Sequence, residues 1–269
     1  DLRLDAVVVI GGDGTMSIAH RLQEMGMNAV GVPKTIDNDI VGTERTFGFD
    51  TAVAIATDAV DRLQTTGQSH GRVMILETMG RYAGWIALEA GVAGGGDVIL
   101  VPEMPYEIDE VVRVCKQREH RQRFTIIVVA EGAKPKDGEM VVRERIETSP
   151  DPIRLGGVGN LLREQLAAEI DSEIRTTILG HIQRGGSPTA YDRILSTNFG
   201  CYAARMVARK EYGRMVAMQH NRFTSISLHE VANKTRCIPE DSFLIQAAVG
   251  VGTSFGVRGI SEKFEAATT

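Results

Sequence analysis

Ala6-Val7-Val8-Val9-Ile10-Gly11-Gly12-Asp13-Gly14-Thr15 is a β-branched run that breaks into a glycine-rich acidic turn. Such a run suits a strand buried on both faces of a parallel sheet, and residues 15–26 after it have helical spacing. A second apolar run, Asn28-Ala29-Val30-Gly31-Val32, ends in a second acidic turn, Pro33-Lys34-Thr35-Ile36-Asp37-Asn38-Asp39. Strand, helix and strand form a βαβ unit, whose right-handed crossover brings both strand ends to one sheet edge, where open α/β folds bind ligands. Asp13 and Asp37 are therefore expected to face one crevice.

The alternation continues outward from this unit. Residues 52–63 have helical spacing, 65–71 read as a polar connection, and Val73-Met74-Ile75-Leu76 is a strand running into Glu77-Thr78-Met79-Gly80-Arg81. A helix over 82–90 carries the single tryptophan, Trp85, and Val98-Ile99-Leu100-Val101 is the next strand. An acidic helix over 107–118 and a strand over 125–130 lead to Glu131-Gly132. Residues 134–154 are polar and read as a solvated surface excursion. A helix over 161–170, a strand over 175–179, a helix over 198–211, a strand over 215–218 and a helix over 242–249 complete the pattern. The fold class is α/β, with doubly wound parallel sheets.

With 269 residues the chain has room for a large core in one large or two modest domains, and two lobes is the expectation. It is 43% hydrophobic and 24% charged, as a water-soluble globular protein is, and no apolar stretch approaches the ~18 residues that cross a bilayer. Neither membrane insertion nor, at a net charge of −5, generic nucleic-acid binding is expected. Cys115, Cys201 and Cys237 have neither metal-ligand spacing nor disulfide density, which fits a reducing cytoplasm.

Chemistry concentrates at the turns. In Gly11-Gly12-Asp13-Gly14-Thr15, a glycine loop opening a helix offers N–H groups to phosphates, and Asp13 can hold Mg²⁺ against their oxygens. In an extended segment Asp37 and Asp39 would point the same way, so that one takes a proton from an attacking hydroxyl while the other orients the metal. Lys34 and Thr35 are placed to contact the transferred phosphoryl. Arg72, Arg81, Arg175, His181 and Arg184 supply opposite charge, and all but Arg72 are read at strand ends, where clustered guanidinium groups recognise phosphate. Taken singly, Arg72 and Arg175 also read as surface ion pairs, and His181 as a satisfied core histidine.

Gly11-Gly12-Asp13-Gly14-Thr15, Pro33 to Asp39, Met79-Gly80-Arg81 and Leu179-Gly180-His181-Ile182-Gln183-Arg184-Gly185-Gly186-Ser187-Pro188 together resemble the 6-phosphofructokinase family, over residues 5 to about 255. The resemblance implies that Asp37 is the base acting on the 1-hydroxyl of fructose 6-phosphate, with Asp13 on Mg²⁺ and Asp39 supporting it. Thr35 and Arg81 would serve the transferred phosphoryl. Met79, Gly80, Glu131, His181 and Arg184 would hold the sugar phosphate, and Arg72 and Arg175 would reach it from a neighbouring subunit of a homodimer or homotetramer. Residues 1–48 and 185–255 would form a donor-binding lobe and 49–184 a sugar-phosphate lobe, with 256–269 as a tail.

In the resemblance, Gly14 leaves room for a nucleotide and favours ATP, whereas Lys34 is typical of pyrophosphate users, so pyrophosphate stands as the alternative donor. The family's first glycine-rich loop precedes Gly11 and is missing here. The chain is therefore expected to be an N-terminally incomplete stretch, inactive by itself. Two further readings stay open: a lipid or NAD kinase, which shares the Gly-Gly-Asp-Gly turn, and a catalytically silent or truncated regulatory subunit.

Overall fold

Strands β1 (Val7–Gly11) and β2 (Ala29–Thr35) flank helix α1 (Asp13–Glu24), and the two-residue β3 (Phe47–Gly48) leads into α2 (Phe49–His70). Then come β4 (Val73–Thr78), α3 (Trp85–Ala93), β5 (Val98–Leu100), α4 (Ile108–Arg121) and β6 (Thr125–Ala130). A hairpin of β7 (Val142–Arg145) and β8 (Ile153–Leu155) precedes α5 (Val158–Ala167), β9 (Ile174–Ile178) and a 3₁₀ turn at Gly180–Arg184. Helix α6 (Ala190–Ala208), β10 (Arg214–Gln219), β11 (Arg222–Ser227), α7 (Leu228–Val231) and α8 (Phe243–Gly250) follow. This computed structural model describes residues 4–121, 124–145 and 153–260.

The chain divides into two compact units, Asp1–Thr51 with Gly186–Arg236, and Ala52–Gly185 with Cys237–Thr269. In the first, the sheet runs β1-β2-β10-β11, with β1, β2 and β10 parallel and β11 antiparallel to β10. Val30, Val32, Val216 and Met218 pack against Leu195, Phe199, Ala203 and Met206 of α6. Ala29 and Met215 pack on the other face with Met16, Ala19, Leu228 and Val231, so helices cover both faces. Phe199 meets Phe47 and Phe223 edge-on, with centroids 6.3 and 5.6 Å away. β1 stands at the sheet edge, where Val8 and Ile10 are exposed.

The second unit is built on the parallel sheet β5-β6-β4-β9. Every residue of β4 and β6 is buried, the signature of central strands covered on both faces. Val111, Val112 and Cys115 of α4 and Leu162 and Leu166 of α5 share a core with Val73, Ile75, Ile127 and Val129. Helix α3 is apolar except at Glu89 and correspondingly buried, including Trp85.

Three expectations need correction. The expected connection over 65–71 is instead the last turns of α2, which runs through to His70 and accommodates Thr65, Thr66 and Ser69 by turning their hydroxyls onto carbonyls one turn back. The excursion over 134–154 holds the β7–β8 hairpin, although residues 146–152 of it lie outside the described residues, as do 261–269 of the expected tail. Residues 237–255, expected in the first lobe, pack with the second unit. Ile238 N donates to Glu103 Oε1 (2.9 Å), Ile99 N to Ser254 O (2.8 Å) and Ser254 N to Asp97 O (2.9 Å), which fastens this segment along β5.

Burial also sets thiol chemistry. Cys115 is buried and its thiol is pushed up to about 12, by burial first and then by the nearby Glu119 and Asp97 carboxylates, whereas Cys201 and Cys237 are exposed. Since the thiolate is the reactive form, an aromatic disulfide reagent at pH 8 should titrate two of the three cysteines rapidly and the third only after denaturation. Three equally fast thiols would contradict the packing of α4.

Candidate active site

In the first unit the β1–β2 register pairs Gly11 with Pro33, so both acidic turns leave the sheet at the same edge. They are also adjacent. A Cβ on Gly12 would lie 3.6 Å from Thr35 Cβ and 3.8 Å from Thr35 Oγ1. Helix α1 begins at Asp13 with Gly12 as its N-cap and no capping side chain, which leaves first-turn N–H groups for an anion. A Cβ on Gly14 would meet nothing within 4 Å, and Lys34 is exposed at the end of β2.

Thr35 Oγ1 donates to Asp37 Oδ2 (3.3 Å) and accepts from Asp37 N (3.2 Å). The turn is pinned by neighbours: Thr46 N donates to Asn38 Oδ1 (3.1 Å), Arg236 Nη1 to Asn38 O (2.9 Å) and Arg236 N to Asp39 O (2.7 Å). Asn38 adopts a left-handed φ of 54°, so the extended geometry expected to point Asp37 and Asp39 the same way is absent. Both carboxylates are nevertheless buried, at 6% and 4% exposure. Acidic side chains held out of water need hydrogen bonds or cations to compensate their charge, and carboxylates so held in one rigid turn are candidates to serve a metal or a proton.

In the second unit Met79, Arg81, Glu131, His181 and Arg184 line one cleft of about 960 Å³ beyond the C-terminal ends of β4, β6 and β9. Gly80 and Arg81 both have positive φ, 142° and 53°, an unusual pair that Glu131 stabilises by accepting from their N–H groups at 3.3 and 3.0 Å. Gly132 completes the brace: a Cβ there would fall 2.0 Å from the Arg81 carbonyl oxygen. Buried Gln183 ties the 3₁₀ turn to this loop, accepting from Met79 N (3.3 Å) and donating to Gly180 O (3.0 Å). His181 and Arg184 flank it, both exposed, so the core-histidine reading of His181 fails.

Arg72 and Arg175 do not join this cluster. Arg72 precedes β4 and Arg175 is the second residue of β9, so both lie at the opposite end of the sheet, where each pairs with Glu173. Arg175 begins its strand rather than ending it, in the expected strand over 175–179 as in β9, so its grouping with the residues at the far strand ends fails. Arg72 beside it holds the Glu173 carboxyl below its ordinary range.

Glu77 and the hairpin arginines Arg143 and Arg154 also line the cleft, and Gln183 is buried beneath it, none of them singled out from the sequence. Glu77 is buried in β4, and its two oxygens accept from Gly157 N (2.9 Å) and Gly159 N (2.8 Å) at the start of α5. A carboxylate there also complements the helix dipole. Glu77→Ala should therefore cost about 2–4 kcal/mol through two stranded buried N–H groups and the lost side-chain volume, measured as a lower denaturation midpoint. A midpoint within 0.5 kcal/mol of wild type, about the size of an ordinary surface effect, would discount this anchor.

Comparison with known proteins bears on this geometry. Residues 1–207 match the sequence model of phosphofructokinase. The chain belongs to the phosphofructokinase family. A relative from Clostridium perfringens named ATP-dependent 6-phosphofructokinase 2 is 54% identical over 254 residues, 94% of this chain and 69% of its own. One from Amycolatopsis methanolica, named pyrophosphate–fructose 6-phosphate 1-phosphotransferase, is 47% identical over 243 residues, 90% of this chain and 71% of its own. The solved phosphofructokinase of Saccharomyces cerevisiae superposes with a TM-score of 0.69 at 31% identity, covering 84% of this chain and 32% of that one. The phosphofructokinase assignment removes the lipid and NAD kinase reading and accounts for the doubly wound architecture.

Proposed function

We propose that this phosphofructokinase chain transfers the terminal phosphoryl of ATP to the 1-hydroxyl of fructose 6-phosphate, giving fructose 1,6-bisphosphate in glycolysis. The observation that carries the reading is the adjacency of the two acidic turns, Gly12 beside Thr35, with Asp37 hydrogen-bonded to that same threonine. Phosphoryl transfer asks a protein mainly for positioning and charge stabilisation. Asp37 accepts the proton of the sugar hydroxyl, Thr35 and Arg81 steady the transferred group, and the N–H groups around Gly11, Gly12, Gly14 and Thr15 take the donor phosphates, with Lys34 beside them.

Magnesium fits this donor set. Among the described residues no group of three or more histidine, cysteine or acidic side chains is arranged to hold a metal. Mg²⁺ in such enzymes needs only one or two carboxylates beside substrate phosphates. Asp13 and Asp39 would hold it, and it would neutralise charge on the donor phosphates.

Met79, Gly80, Glu131, His181 and Arg184 hold the sugar phosphate. Arg72 and Arg175, at the other end of that sheet, serve the sugar phosphate of a neighbouring copy, in a homo-oligomer whose active site is shared. No described helix is long and apolar enough to cross a membrane, and a glycolytic enzyme of this kind is cytoplasmic.

Pyrophosphate is the second reading, favoured by the exposed Lys34 at the donor turn and by the pyrophosphate-named relative. The open space over Gly14 favours ATP. The full-length protein with Mg²⁺, fructose 6-phosphate and either donor, assayed for fructose 1,6-bisphosphate, decides between them. Formation of no product with either donor would leave a catalytically silent subunit.

A further inference from the structure

The geometry points to Arg143, on the hairpin that walls the cleft, as a further phosphate-binding residue that selects phosphorylated over unphosphorylated sugar. This rests on reading the cleft as the sugar-phosphate site.

Three observations on the hairpin converge. First, β7 and β8 pair Val142 with Leu155 and Glu144 with Arg154, so Arg143 is the extra residue of a β-bulge. Bulges beside active sites re-aim a side chain, and here Arg143 joins the cleft wall that Arg154 also lines. Second, the hairpin base is rigidly seated. Gly156 N donates to Val141 O (3.2 Å), and Glu77 takes the N–H groups of Gly157 and Gly159. The Arg143 stem crosses this base, its Cδ 4.0 Å from where a Cβ on Gly156 would sit.

Third, the charge of Arg143 is unspent. Arg143 is exposed and has no hydrogen-bond or ion-pair partner among the described residues. Of the carboxylates around the cleft, Glu77 is engaged by backbone N–H groups of α5 and Glu131 by those of Gly80 and Arg81. Among the described residues, the further carboxylate lining the cleft is the exposed Glu144, beside Arg143 and the exposed Arg184. A cationic wall facing a cleft of this size is matched by a dianionic phosphate monoester, which a guanidinium grips through two parallel hydrogen bonds.

The test is Arg143→Ala and Arg143→Lys in the full-length enzyme, with fructose 6-phosphate binding measured by calorimetry without donor, and kinetics on fructose 6-phosphate and on fructose. Arg143→Ala should raise Kd and KM for fructose 6-phosphate roughly ten- to hundredfold, leave kcat within about twofold, and leave kcat/KM for fructose unchanged. Arg143→Lys should recover only part of the loss, because an ammonium is a point charge. Unchanged fructose 6-phosphate affinity, or an equal loss for both sugars, would overturn the role of Arg143 while the reaction itself stands. A wild type that neither binds nor phosphorylates fructose 6-phosphate would overturn the reading of the cleft as well.

Discussion

Asp37→Asn should lower kcat by roughly 10²- to 10⁴-fold while leaving the affinity for fructose 6-phosphate within about threefold, because it removes a proton acceptor and keeps the shape. The turn is suited to this experiment. Its backbone is held through Asn38 and Asp39 by Thr46 and Arg236, and none of those bonds involves the Asp37 side chain. The amide oxygen of asparagine can still accept from Thr35 Oγ1, as Asp37 Oδ2 does now. The amide has the size and shape of the carboxylate it replaces at a site only 6% exposed, so the variant should still fold, which a denaturation curve would record. Lost rate with retained stability would isolate the chemical step. An unchanged kcat would hand the proton to another group.

Gly14→Asp should reduce kcat/KM for ATP by roughly a hundredfold and that for pyrophosphate far less. In the proposed reaction a carboxylate at this position would stand where the α-phosphate of ATP passes, and like charges about 4 Å apart repel by roughly 1–4 kcal/mol at the dielectrics of a protein surface. The folded protein should not resist the change. Nothing within 4 Å would obstruct the new Cβ, Gly14 is in the first turn of α1, and acidic residues there are favoured by the helix dipole. Stability should hold or rise slightly as ATP use falls, which steady-state kinetics with each donor and one denaturation curve would record. Equal loss with both donors would remove the steric account of donor choice.

The βαβ unit was legible because its signals are local: β-branched runs, glycines at the turns, and two acidic bends at corresponding strand ends. Other signals were in the sequence and went unread. Thr189-x-x-Asp192 is a helix-start pattern, and α6 begins there, with Thr189 Oγ1 accepting from Asp192 N at 3.3 Å, eight residues before the expected start. His220 and Asn221, with φ of 51° and 56°, make the two-residue turn of the β10–β11 hairpin, and β11 was not anticipated.

The remaining features depend on pairings distant in sequence. The expected strand over 175–179 differs from β9 by a single residue and already starts at Arg175, so that residue was assigned to the wrong end of a correctly placed strand, and its pairing with Glu173 is what marks the end it occupies. The left-handed Asn38 depends on Arg236, nearly two hundred residues downstream. The hairpin arginines were hidden in a polar tract whose composition is that of an ordinary loop.

The bare Cα at position 132 has an evolutionary corollary. Because any side chain there would evict the Arg81 carbonyl, the aim of a guanidinium is hostage to a position fifty-one residues away that has no side chain to offer a ligand. A saturation mutagenesis scan scored by growth would rank 132 beside the substrate-contacting positions, and its intolerance would be architectural in origin. Drift at 132 is open only to lineages that have first rebuilt the Gly80–Arg81 bend, so the order in which substitutions arise matters as much as their identity.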